Sequence, residues 1–495
     1  MPNKVFKKSN VIDKFSVLAV KGGISVLIVG IASGIIILVP WISDFDGMRT
    51  FATLTLIGGI FFYAVLTRIR NAKAILLYWG ASLWGVLILA EGILVRSGTT
   101  KSAIEGEFQH AATGEAVVWL ICFLIVGVLS FWSTETLRNL LAPGFRWVTI
   151  FGVLVFISVL YSANPTYSLL WTFKLILIIF VINVWISGME NLHDLTRAAF
   201  VIHHVFLGLS LLPLVQIWEG PELLFAGYRL GGVFSPTGVS ATAGTLTLLA
   251  LMLMKLTGRY QTEFRITAFV GLVIMLMGMG KTSIVGCLIA GIGFYFLLGN
   301  LKASMGFILI MAILVLFGVF ANLPMVGYVQ KYQSSEMGAT LSGRSELWAQ
   351  SFPVIMEKIL LGHGFVTSKF ASLDVEDVSW DAGQLHNAFL EVLYNNGLMG
   401  FFVLLVLNGL IVRNLFFSDY QIVHHHLRVF RSGLFALYLF IFINGLFNSS
   451  FGGRPHNQFV LFLTIFMLSQ KYKEISKDLS PVKISEVVSI QPNSA

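Results

Sequence analysis

Apolar runs close to twenty residues long, broken by short polar connectors, recur along nearly the whole chain. A bilayer core about 30 Å thick takes about 20 residues of helix to cross, and an unpaired backbone group inside it costs several kcal/mol. The runs at 24–42, 51–67, 74–95, 114–132, 146–161, 166–186, 198–218, 238–257, 265–280, 283–299, 303–323, 391–412, 432–448 and 457–470 therefore predict membrane helices. The expected fold is all-α, a polytopic membrane helix bundle of about 12–14 transmembrane helices.

The polar stretches divide the chain further. Residues 1–23 form an arm, 24–323 carry spans one to eleven with short loops, 324–390 are one large excursion, 391–470 hold the C-terminal spans, and 471–495 form a tail. The tail is rich in Ser, Pro and Val without an apolar period and is expected to be disordered. Inside the excursion, Leu341, Trp348, Phe352, Ile355 and Ile359 recur at helical spacing behind Ser342 as N-cap. That spacing predicts an amphipathic helix lying on the membrane surface or packed over the bundle.

Composition narrows the function. Hydrophobic residues make up 56% of the chain and charged residues 12%, against roughly 25% charged in soluble proteins. Soluble enzymes, disordered scaffolds and nucleic-acid modules are excluded, so the net charge of +8 concerns topology rather than nucleic acid. With a cytoplasmic N-terminus, ten of the 33 basic residues fall outside, among them Arg229, Lys281, Arg344 and Arg454. The inward excess places both termini in the cytoplasm and the 324–390 excursion on the outer face. Lys4, Lys7, Lys8 and Lys14 precede a long first run that lacks a small-x-small cleavage site, so that run is expected to be retained. Cys122 and Cys287 lie in apolar stretches and read as small buried hydrophobes. No zinc spacing and no Gly-x-x-x-x-Gly-Lys-Ser/Thr phosphate loop is present.

The outer loops carry the candidate chemistry. Arg229 stands in Tyr228-Arg229-Leu230-Gly231-Gly232-Val233-Phe234, where two glycines admit a ligand to the backbone and a guanidinium can grip phosphate oxygens; the alternative is a headgroup anchor. Lys281, in Gly280-Lys281-Thr282-Ser283, occupies a tight turn and could instead snorkel. Arg344 opens the amphipathic helix, with a surface pair to Glu346 as the plain reading. Leu385-His386-Asn387-Ala388-Phe389-Leu390-Glu391 marks the return to the membrane. An interfacial His can be the neutral base that proton abstraction needs, and Asn387 and Glu391 share a helix face that could position a hydroxyl or the imidazole, unless they only cap the span. His456, in Arg454-Pro455-His456-Asn457-Gln458-Phe459, repeats the pattern and ranks second as part of the cavity wall. Lys174 lies about two turns inside span six, where charge marks a functional cavity or snorkels to the headgroups. His363 reads as a turn residue, and His203 and His204 as helix–helix hydrogen bonders.

In this order, the motifs resemble those of the bacterial O-antigen ligase and O-antigen polymerase superfamily of multi-span, lipid-linked glycan transferases. The carriers are Arg229 with its Gly-Gly-x-Phe, Gly343-Arg344-Ser345-Glu346-Leu347-Trp348, Leu361-Gly362-His363-Gly364, and His386 through Glu391 with Gly397 and Gly400 behind, over roughly residues 150–415. The resemblance implies a glycosyltransferase of the inner membrane working on the periplasmic face, with an undecaprenyl-diphosphate-linked glycan as donor. It makes His386 the general base, gives the diphosphate to Arg229 and Lys281, and has Arg344 stabilise the loop or the leaving phosphate; Asn387, Glu391, Lys174 and His456 stay supporting candidates on the reading of the residues above. Lys281 stands where the family commonly has Arg, and Pro236-Thr237 where Pro-Asn is frequent; Lys keeps the charge but lacks the guanidinium fork.

Diphosphate leaves readily, so transfer needs cations, a base at the acceptor hydroxyl and an apolar flank, with no cofactor or metal demanded. Direct displacement inverts the anomeric carbon, and paired hydrolase-type carboxylates are not evident. The expected function is a surface-polysaccharide polymerase, for O-antigen or exopolysaccharide, favoured over a ligase by span count and loop size. A ligase acceptor would be lipid A core in lipopolysaccharide; a polymerase acceptor would be another lipid-linked repeat. Expected partners are these lipids, the bilayer and polysaccharide-assembly proteins, with no nucleic acid. A flippase or a non-catalytic assembly scaffold is the rival from another class, although no half-to-half repeat supports a transporter.

Overall fold

The computed structural model describes residues 72–94, 119, 122–123, 125–127, 134–215, 225–226, 229–230, 235–258, 260–320, 344–370, 384–417 and 425–479. The expected spans at 24–42 and 51–67, the arm, and Leu341 and Ser342 lie outside them. The described chain is a helical bundle: α1 (Ala72–Leu94), α2 (Thr134–Leu141), α3 (Arg146–Ser158), α4 (Pro165–Ser187), α5 (Leu192–Val215), α6 (Pro236–Leu256), α7 (Gln261–Gly278), α8 (Lys281–Leu297), α9 (Leu301–Phe320), α10 (Arg344–Glu357), α11 (Ala388–Leu415), α12 (His425–Phe447) and α13 (Asn457–Leu479). One antiparallel pair, β1 (Phe225–Ala226) with β2 (Arg229–Leu230), interrupts it. Six of these helices are long and apolar enough to cross a membrane, and four shorter apolar helices accompany them among the described residues. The protein is a multi-pass membrane protein.

The helices start where the sequence offers caps. Asn164 accepts from the Tyr167 N–H ahead of Pro165, and Ser235 accepts from the Gly238 N–H ahead of Pro236. In each case a side-chain acceptor is followed by a proline whose missing N–H costs nothing in the first turn. Helix α6 is the hub, buried along almost its whole length against α5, α7, α8 and α12. It meets α7 most closely, because Gly271 faces Ala243 and Thr247 and Gly278 faces Ser240, with no room for a Cβ at either glycine. Small residues letting two backbones approach is the usual way helices pair where lipid supplies no hydrophobic drive. A second group joins α4 to α1, α3 and α13, and α11 to α3, α12 and α13.

Helix α11 is broken at Gly397, whose φ of 60° and ψ of −163° are open only to glycine. A break in a span frees backbone groups that lipid cannot satisfy. Here the segment before the 361–364 turn fills the gap. His363 and Gly364 donate to the Tyr394 and Asn395 carbonyls, both at 2.9 Å, while Leu398 and Met399 donate to Ile359 and Leu360 at 2.8 and 3.4 Å. His363 adds a bond from its Nε2 to Val354 O at 2.9 Å and stacks on Tyr394. A Cβ on Gly397 would overlap the Leu360 carbonyl. Gly397→Ala is therefore expected to destabilise the protein by about 2 kcal/mol or more, read as a lower unfolding temperature in detergent; an unchanged transition would contradict this role for the break.

Helix α10 packs over the bundle on α11, one of the two expected arrangements. Of the expected inner positions Ile355 is buried, Ile359 packs beside it and Trp348 bonds Leu385 O, while Phe352 is 53% exposed; Leu347 and Ser351 complete the buried side. Helix α13 also runs further than the apolar run that predicts it: residues 471–479 of the expected tail continue the helix, held by buried Tyr472 and Ile475. Among the described residues His203 makes no hydrogen bond and packs edge-on to Phe264, while His204 bonds within its own helix to Phe200 O; neither bridges helices there as expected.

Candidate active site

The first turns of α4, α6, α8, α11 and α13 gather at one end of the bundle, where the 344–370 and 384–387 segments cover them. Hydrogen bonds tie that end together: Ser168 Oγ to Phe365 O, Gly280 N to Ser240 Oγ, Ser283 Oγ to Asn444 and Asn387 Nδ2 to Leu446 O. Parallel N-termini add their partial positive charges, so this end of the bundle favours an anion.

His386 stands just ahead of α11 with φ at 50°, a left-handed conformation that His tolerates better than most residues. Its neighbours hold it there. The Trp348 indole of α10 donates to Leu385 O at 2.8 Å, and the Leu385 N–H donates to Glu391 Oε1 at 2.6 Å. Glu391, fully buried, also accepts from Ser368 Oγ at 2.5 Å and from Ser449 Oγ at 2.9 Å. Three chain segments thus converge on one carboxyl group, each bringing it a donor. Asn387 Oδ1 caps α11 by accepting from the Phe389 and Leu390 N–H groups, while its Nδ2 serves Leu446 O. Both side chains therefore build the loop that presents His386.

Burial, and after it the charge of Arg344, pushes the His386 imidazole down from 6.5 to about 4. The two residues are thereby brought together. Arg344 is the first residue of α10, where a cation works against the helix dipole, so helix stability does not explain it. A histidine whose folded pKa is depressed holds its proton less tightly folded than unfolded. Its contribution to stability is full above about pH 6.5 and is lost as pH falls towards 4, and in that window the folded site keeps the imidazole neutral. Any activity that needs neutral His386 should have its acid limb near pH 4, and Arg344→Gln should move that limb upward without reaching 6.5, because burial remains. A wild-type limb at 6.5 in a pH–rate profile would contradict this assignment.

Lys281 opens α8 behind Gly280, which supplies no side-chain cap, and the first turn of α8 holds no acidic residue. The first-turn N–H groups and the Lys charge therefore point the same way. Arg229 lies in β2, paired with Ala226, and β2 packs on α6 and α7. Lys174 is set apart. It is buried inside α4, with Nζ 4.9 Å from the ring centres of both Trp119 and Trp171. His456 closes the 449–456 turn: its Nδ1 accepts from the Gln458 N–H, so Nε2 is the donor to Ser449 O at 3.1 Å.

Ser368, Ser449 and the Gly452-Gly453 pair were not legible as site residues. A Cβ on Gly452 would collide with Ala388 O, so this turn lies directly on the start of α11. The one local signal was a Gly-Gly pair beside an arginine, as also stands after Arg229.

Residues 266–405 match a family model described as O-Antigen ligase. The chain carries an O-antigen ligase family domain. That domain takes in Lys281, Arg344, the 361–364 turn, His386, Asn387 and Glu391, so the break at Gly397 and the Ser368 and Leu385 donors to Glu391 lie within it. Arg229, Lys174 and the 449–456 turn flank the O-antigen ligase domain in sequence: β2 packs on α7, the Lys174 helix reaches the domain through Ser168 and Phe365, and the turn reaches it through Glu391. No curated protein matches the chain.

Proposed function

We propose that the protein transfers a glycan from undecaprenyl diphosphate to an acceptor sugar hydroxyl on the periplasmic face of the inner membrane, as a polysaccharide polymerase. The observation that carries the reading is His386, kept neutral beside Arg344 on a loop anchored by Glu391, within a domain of O-antigen ligase type. The acceptor oxygen bonds to the anomeric carbon of the donor as the bond from that carbon to the diphosphate oxygen breaks. The electron pair leaves with undecaprenyl diphosphate, and the hydroxyl proton goes to the imidazole. One displacement inverts the anomeric carbon. Arg229, Lys281 and Arg344 neutralise the charge that grows on the leaving diphosphate, which is where fixed cations lower a barrier most. The inward excess of Lys and Arg supports placing this end of the bundle outside.

The family's description favours a second reading, a ligase with lipid A core as acceptor. Purified protein supplied with lipid-linked repeat units alone separates the two. Chain elongation on a gel is the expected result. Transfer only after lipid A core is added would replace polymerase with ligase, and lipid translocation without transfer in either mixture would refute both.

A further inference from the structure

The geometry points to a second phosphate site, beside Trp171, that holds the lipid-borne phosphate of the acceptor. The Arg454 guanidinium carbon lies over the Trp171 ring at 4.1 Å, and Lys174 Nζ lies 4.9 Å from the same ring centre. Two cations thus share one indole. Trp171 Nε1 and Arg454 Nε are both buried and donate to nothing among the described residues, although buried donors are nearly always paired. Tyr167 and Trp119 complete an aromatic wall around Trp171, with ring centres at 6.0 and 5.9 Å.

These groups are donors or cations, so their complement is an acceptor-rich anion with apolar surroundings, as a phosphate ester on a lipid provides. Arg454 and the indole N–H would contact its oxygens, and Lys174 would add charge from within α4. The inference rests on the proposed transfer for the word acceptor. That role follows from the connections: the turn carrying Arg454 is the turn whose Ser449 bonds Glu391, and Glu391 holds the residue before His386. A molecule bound beside Trp171 is therefore indexed to the base by a rigid support. Both a polyprenyl diphosphate and lipid A core carry such a phosphate.

Native mass spectrometry of the purified full chain with farnesyl diphosphate tests the site without requiring turnover. Two bound molecules are expected for the wild type. Arg454→Gln and Lys174→Met should each weaken one of them by at least about tenfold, the effect of losing a charge-assisted contact. Trp171→Phe, which keeps the ring but removes the N–H, should weaken the same one while leaving the fold intact. Arg229→Ala should remove the other. Binding unchanged in all three of the Trp171-site variants overturns the inference, and so does displacement of farnesyl diphosphate by equimolar phosphatidylglycerol, which would make the site one for bulk lipid. If His386→Ala were to retain transfer, the proposed function would fail while these binding results stood.

Discussion

Replacing His386 with alanine is expected to slow glycan transfer by a factor of about 10²–10⁴, the usual worth of a positioned general base, while the protein still binds its lipid-linked donor. The residue is held where a base is needed: depressed to about 4 by burial and by Arg344, it is neutral across the working pH range. In the proposed transfer the diphosphate leaving group needs no proton, so the imidazole would act on the acceptor side alone. Alanine at a φ of 50° costs about 1 kcal/mol by itself. His386→Asn avoids that cost, because Asn accepts the left-handed conformation, and it should show the same loss of rate with an unchanged unfolding temperature. Full transfer by either variant, measured as released polyprenyl diphosphate, would remove His386 from the mechanism.

Glu391→Ala is expected to be the most destabilising single change at the site, by about 3 kcal/mol or more, because it leaves the Leu385 N–H and two buried hydroxyls without an acceptor. Glu391→Gln should cost only about 1 kcal/mol, since a serine hydroxyl can rotate to accept from the amide while the remaining carbonyl still serves Leu385. The rate should nonetheless drop in the glutamine variant, with kcat falling and KM little changed, because the loop carrying His386 is loosened rather than the donor contacts. Thermal unfolding in detergent together with steady-state kinetics separates the two effects. Equal stability of the alanine variant and the wild type would show that the three segments are held by something else.

Much of the fold is written in local sequence. Apolar run length alone marks α1 and α3 to α9, and the caps Asn164-Pro165, Ser235-Pro236 and Asn387 fix where three helices begin. Arg344 and His386 stand out as candidates for local reasons too, one opening the amphipathic helix and the other marking the return of the excursion to the membrane. What was not legible depends on partners far apart in the chain. Ser449 reaches Glu391 across 58 positions, and nothing near either residue announces the bond. The break at Gly397 reads locally as one more glycine in a span, because the backbone groups that make it tolerable come from 359–364. Phe352 departs from the expected inner face of α10 for a physical reason as well. Beside a bilayer an outward Phe352 meets lipid or interface rather than water, so apolar periodicity no longer tells inside from outside. Arg454 was counted only as an outer charge, since its pairing with Trp171 joins a loop after α12 to the middle of α4.

The central claim is a single displacement at the end of the bundle where His386 and Arg344 meet, and single-turnover reaction of the reconstituted protein with a labelled lipid-linked repeat unit tests it most directly. The expected result is one polyprenyl diphosphate released per glycosidic bond, inverted configuration at the new anomeric centre by NMR, and no label left on the protein. Retained configuration, or a glycan covalently attached to the chain, would contradict it.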